Sequence, residues 1–185
     1  GFFTGTKGGN VVALMEDKTN QMETADAVYK SIREALPGVD IVMAAGRVYT
    51  GLNELWRSFM DASMVLSISR VFKDKRLIFY DDLGVYRLLV TNDRDELYRF
   101  YSETIKPLRD YDKKHDTELI KTLKTFFEAN GNLKRMSEIL YTHYNTVLYR
   151  LQRIKEISGL DTEDPADRMN MSIALKIMEL LGEDF

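Results

Sequence analysis

Apolar residues along the first eighty positions alternate between two periods. Val11-Val12-Ala13-Leu14-Met15 is a short apolar run behind a Lys7-Gly8-Gly9-Asn10 turn, with Phe2-Phe3 ahead of it, and the pattern predicts a hairpin. From Thr19 to Leu36 apolar side chains recur at Met22, Ala25, Val28/Tyr29 and Ile32, the helical period, and Pro37-Gly38 stops the helix. Residues 39–45 read as a strand. Residues 52–71 read as a long helix with Leu55, Phe59, Ala62 and Leu66 on one face and Trp56 beside it as partial core. Leu77-Ile78-Phe79-Tyr80 closes the series as a strand. This order predicts one α+β sheet domain with helices on a face.

Beyond Tyr80 the period is helical throughout. Asp81-Asp82 is placed to cap a short helix carrying Leu83, Tyr86 and Leu89. Asn92 is placed to cap another, with Leu97, Phe100, Tyr101 and Ile105, ended by Pro107. Residues 109–116 are charged and lack aliphatics, so they read as a linker between a first domain, 1–108, and a helical domain, 117–185. In the latter, Leu119, Ile120, Leu123, Phe126 and Phe127 mark one helix, with Gly131 as its stop. Residues 133–140 mark a short helix and 145–158 a longer one. Asp164-Pro165 opens the last, Asp as N-cap and Pro at the first helical position.

Two unequal helices joined by a turn of three or four residues are the geometry of a helix-turn-helix. In the second, Val147, Leu151 and Ile154 fall on one side, with Leu148 and Ile157 flanking. Thr146, Tyr149, Arg150 and Arg153 fall on the other, a face of hydroxyl, aromatic and guanidinium groups suited to a major groove. Residues 131–155 hold Lys134, Arg135, Arg150, Arg153 and Lys155 against the single acid Glu138, a net of +4 on a chain whose overall charge is −3. Such a basic island is the footprint of a polyanionic partner, although any amphipathic helix also turns charges outward.

Composition narrows the alternatives. The 185 residues are 44% hydrophobic and 30% charged, the balance of a folded globular chain. The absence of cysteine excludes disulfides, thiolate metal sites and a cysteine nucleophile. No apolar run approaches the roughly 18–20 residues of a membrane span. The Gly-Phe-Phe-Thr-Gly start has no initiator Met and no signal pattern, and reads as part of a longer chain. His115 and His143, in a linker and a turn, make a poor metal site, and Asp93, Asp95 and Glu96 sit in a first helical turn where acids favour the dipole.

The run from Gly131 to Leu151, with its Asn-Gly-Asn, His-x-Asn-Thr and Tyr-Arg-Leu elements, resembles the C-terminal helix-turn-helix of the PucR/CdaR family of bacterial transcription regulators, a motif similar to the Fis type. Tyr111-Asp112 and residues 117–123 before it, and Gly159-Leu160-Asp161 and residues 164–168 after it, extend the likeness over about residues 111–181. Two departures stand out: family members commonly carry Arg where this chain has Tyr144 and Leu148. Met136 takes a position that is usually Ala, and is expected to pack. The same family places a degenerate GGDEF-like domain ahead, and residues 46–62 and 80–89 resemble it. The Gly8-Gly9-Asn10-Val11 turn has Asn and Val where an active cyclase carries its metal-binding acids, so the resemblance implies no cyclase activity, no metal and no cofactor.

The resemblance implies a cytoplasmic, sequence-specific DNA-binding regulator, not an enzyme, acting as a homodimer on double-stranded DNA, with a small-molecule effector bound by a region upstream. The expected contacts are Thr146, Tyr149, Arg150 and Arg153 in the groove, Tyr144 beside them, and Lys134 and Arg135 near the backbone. His143 either reaches a phosphate or satisfies local backbone groups. Asn145 either caps the recognition helix or touches DNA, with the cap favoured. The rival reading is a protein-interaction or dimerisation module in which the Tyr149/Arg150 face meets another protein.

Overall fold

A computed structural model describes residues 2–16 and 20–182, the side chain of Phe2 excepted, and the chain divides into two compact units after Gly84. The first unit opens with the hairpin β1 (Phe2–Lys7) and β2 (Asn10–Met15), paired antiparallel across Gly8-Gly9. Both glycines have positive φ (58° and 79°), the conformation a two-residue hairpin turn demands. Helix α1 (Gln21–Ala35) starts at Asn20, whose side chain accepts from the Met22 N–H; the expected start at Thr19 lies outside the described residues. Strand β3 (Met43–Ala45) leads through a turn to α2 (Leu55–Ser67), and β4 (Leu77–Phe79) pairs parallel with β3.

Among the described residues the strands therefore make two two-stranded sheets, β1–β2 and β3–β4, where the pattern predicted one. Helix α2 is also shorter than expected, with 3-10 turns at 52–54 and 69–71 outside it. Its buried line is Asp61, Val65 and then Ile68, rotated from the predicted Phe59/Leu66 face. Trp56 lies half a turn round from Val65 and is 62% exposed, not partial core. Asp61 is a carboxylate that hydropathy counts as surface. It is buried because Arg47 Nε (2.9 Å) and Tyr49 OH (3.0 Å) donate to it, tying the segment after β3 to α2. Gly46 allows that approach: a Cβ there would lie 1.9 Å from the Ser58 carbonyl oxygen.

The second unit is helical: α3 (Tyr86–Val90), α4 (Arg94–Thr104), α5 (Lys106–His115), α6 (Leu119–Glu128), α7 (Leu133–Ile139), α8 (Tyr144–Ser158) and α9 (Pro165–Leu181). Residues 85–116, expected to trail the first domain and then link the two, pack into this unit. Leu97, Tyr101, Ile105 and Leu108 are buried, and α4 runs along α9. Asp93, not Asn92, caps α4. Pro107 does not end a helix; it sits in the first turn of α5, where its missing N–H costs nothing.

The predicted linker at 109–116 is most of α5, and it forms despite lacking aliphatics for local reasons. Lys106 pairs with Asp110 one turn on (2.6 Å), Lys113 and Lys114 place two cations in the last turn, and Asp116 closes the helix in the left-handed region at φ 51°. Asp112 then does what Glu118, the N-cap residue of α6, does not. Its carboxylate accepts from the backbone N–H groups of Leu119 (2.8 Å) and Ile120 (2.9 Å) and from the Thr117 hydroxyl, capping α6 from the preceding helix. Asp112→Ala is expected to lower stability by about 1–2 kcal/mol in urea unfolding followed by helical circular dichroism. Asp110→Ala, which removes only the exposed pair with Lys106, should stay within about 0.5 kcal/mol; equal losses would remove the capping role.

Candidate nucleic-acid interface

Helices α7 and α8 are joined by residues 140–143. Asn132 caps α7, its side chain accepting from the Arg135 N–H at 3.1 Å. Met136 is fully buried with Phe126, Ala129, Leu140 and Val147 in the cluster that joins α6, α7 and α8. The corner between α7 and α8 is a Schellman ending: the Tyr141 N–H donates to Glu138 O (3.3 Å) and the Thr142 N–H to Ser137 O (3.0 Å). That motif asks for a left-handed residue where glycine usually stands. Here Tyr141 holds φ 49° with a side chain 97% exposed. A strained backbone around a solvent-facing ring is what the sequence pattern missed, because aliphatic periodicity does not register turn conformation.

His143 is the N-cap residue of α8, in extended conformation, exposed, and with no cap hydrogen bond from its side chain. Asn145, the favoured cap in sequence, sits inside the first turn with an exposed side chain, so the cap reading is corrected. Tyr144 and Tyr149 are exposed and Thr146 is half-buried. Leu148, expected to flank the apolar side, is 42% exposed. The exposed arc of α8 is thus Tyr144, Asn145, Leu148, Tyr149, Gln152, Lys155 and Glu156.

Arg150 and Arg153 lie away from that arc. The Arg150 guanidinium donates to Glu118 Oε2 at 3.1 Å and approaches the Thr122 hydroxyl at 3.5 Å, both at α6, and its side chain is 22% exposed. Arg153 donates to Glu156 (2.8 Å) and to the Tyr111 hydroxyl of α5 (3.2 Å), with its guanidinium 5.0 Å from the Tyr111 ring centre. The i, i+3, i+4, i+7 stripe of Thr146, Tyr149, Arg150 and Arg153 is real on the helix, but α8 packs on α5 as well as on α6 and α7, so that α6 takes Arg150 and α5 takes Arg153. Lys155 pairs with Asp161 at 2.6 Å. Of the five cations of the basic island, Lys134 and Arg135 on α7 are exposed and make no ion pair among the described residues.

A two-helix corner within a helical unit, its second helix showing one side to solvent, in a chain that begins with a small α+β unit, defines a helix-turn-helix protein of two domains. Residues 119–177 match the PucR C-terminal helix-turn-helix domain, and residues 1–68 match the GGDEF-like domain. These two matches, in this order along the chain, are the domains of the PucR/CdaR type of transcription regulator that the sequence resembles. It is 29% identical over 82% of its length to the DNA-binding transcriptional activator AdeR of Bacillus subtilis, covering 36% of that protein. It is 28% identical over 75% of its length to the proline-responsive transcriptional activator PutR of the same organism, covering 34% of it. It is 29% identical over 74% of its length to the carbohydrate diacid regulator of Escherichia coli, covering 35% of it. The chain spans about a third of the length of these relatives. No helix among the described residues is long and apolar enough to cross a membrane.

Two expectations follow from the geometry. The Glu118 carboxyl is held below its ordinary value of 4.5 by hydrogen bonds from Lys121 and, against some burial, from Arg150. A carboxyl lowered by folding contributes stability in full above its ordinary range and loses it as pH falls. Glu118→Gln should therefore flatten the fall in melting temperature between about pH 5 and pH 3; superimposable profiles would mean that the α6–α8 pair carries nothing. Tyr141→Gly should raise stability by about 0.5–1 kcal/mol through release of left-handed strain, read from the urea midpoint.

Proposed function

We propose that this chain binds double-stranded DNA sequence-specifically through α7 and α8, as the C-terminal part of a ligand-responsive transcription regulator. The observation that carries the reading is the match of residues 119–177 to the PucR helix-turn-helix, together with an α8 whose outer side is unoccupied by the rest of its unit. Lys134 and Arg135, exposed and uncommitted on α7, serve the phosphate backbone, with His143 at the corner as a third backbone contact. Tyr144, Asn145, Thr146 and Tyr149 serve the groove. Arg150 and Arg153 are placed to hold α8 on α5 and α6, and reach DNA only by leaving those partners.

One short helix reads too few bases for specificity, so the active species is a homodimer on paired half-sites. The GGDEF-like domain transmits or dimerises and does not make cyclic dinucleotide: its hairpin carries Asn10 and Val11 where metal-binding acids would be needed. The effector belongs to the part of the full-length protein beyond the matched third, and the compartment is the cytoplasm.

Duplex binding measured against salt tests this. Affinity should fall steeply between 50 and 200 mM salt, as counterion release requires, and Lys134→Ala with Arg135→Ala should flatten the log–log slope by about 2. Binding that ignores salt, or a slope unchanged in the double variant, would count against DNA contact through α7 and favour a protein partner.

A further inference from the structure

The outer arc of α8 carries no uncommitted cation. Lys155 is engaged by Asp161, Arg150 and Arg153 face the other way, and Glu156 is held by Arg153. Asn145, Leu148, Tyr149 and Gln152 stand on this arc at i, i+3, i+4 and i+7, the spacing by which a helix lying in the major groove sets side chains against successive base edges. Guanine is read chiefly by a bidentate arginine or lysine at its O6 and N7. No such group is offered. A carboxamide instead matches the N6 donor and N7 acceptor of adenine, and an apolar side chain packs on the C5-methyl of thymine. The Asn145 side chain makes no hydrogen bond among the described residues, and that of Gln152 makes one long one of 3.4 Å to Glu156, so both amides are available. Leu148 is the apolar group between them, and it stands out toward solvent.

We infer that α8 reads a half-site of A·T pairs, with Leu148 on thymine methyls and Asn145 and Gln152 on adenine edges, and not a guanine-centred site. The inference rests on the DNA-binding reading above and adds the chemistry of the operator to it. It also assigns the phosphate contacts to α7, since the reading helix itself supplies little charge.

The test is selection of bound duplexes from a random library by this chain, followed by chemical editing of the selected site. Half-sites with A·T pairs at the core are expected. Replacing a contacted thymine by deoxyuridine removes one methyl and should weaken binding about fourfold, the equivalent of about 0.8 kcal/mol. Replacing a contacted adenine by 7-deazaadenine should weaken it about fivefold or more. Leu148→Ala, at a solvent-facing position that leaves the core intact, should erase the thymine–uracil difference while salt-dependent binding persists. Selected half-sites centred on guanine, with affinity lost in Arg150→Ala, would overturn the inference and leave DNA binding standing. So would A·T sites bound equally well with uracil and 7-deazaadenine, which indicates reading of groove shape. No salt-dependent duplex binding of any kind would overturn both readings together.

Discussion

The contacts of Arg150 with Glu118 and of Arg153 with Tyr111 decide what the rest of the helical unit can present. They fasten the middle of α8 to α6 and α5, and so fix the rotation of the helix about its own axis. Neither contact is strong by itself: a half-exposed ion pair, or an arginine hydrogen-bonded and stacked on a partly exposed tyrosine, is worth about 1 kcal/mol. Their effect is geometric. A guanidinium presents donors in a rigid plane, and its long stem packs along the apolar surface beneath, so small energies suffice to hold one orientation. Once that rotation is set, Val147 and Ile154 are buried and Tyr144, Leu148 and Tyr149 are outside.

That arrangement depends in turn on α5, which exists for reasons of capping more than of hydropathy. Its Asp112 supplies the N-terminal cap that α6 lacks, and its Tyr111 provides the ring and hydroxyl that receive Arg153. Helix α5 is therefore a wall of the helix-turn-helix unit. The GGDEF-like unit is organised around an analogous buried polar group, Asp61, held by Arg47 and Tyr49 where Gly46 brings the chain against α2. In both units a carboxylate joins elements that apolar packing alone would leave loosely registered.

The departures from the family pattern gain meaning from this geometry. The two positions that depart from the resembled motif, Tyr144 and Leu148, lie on the outer arc of α8. The arginines that periodicity nominated lie on the inner one. A count of cations along residues 131–155 gives a net of +4, yet the three cations of α8 are committed within the unit. Charge along a sequence is thus a poor proxy for charge on a surface, because ion pairs within the fold neutralise it locally.

Sequence alone determined the hairpin, the α6–α7–α8 succession, the Asp164-Pro165 start of α9 and the likeness to the family, because each rests on near-neighbour chemistry: turn glycines, caps, a helical period and a motif of fixed spacing. It also placed Met136 in the core. It did not determine which side of α8 is free, since a helix with three neighbours buries polar side chains that a two-neighbour helix would expose. It could not reveal that residues 109–116 are a helix, because their stabilisation comes from capping and from Arg153, forty-two residues beyond Tyr111. Nor could it show that β1–β2 and β3–β4 are separate sheets, or that Asp61 is buried. Those are pairings between distant parts of the chain, and only the tertiary structure brings such partners within hydrogen-bonding reach.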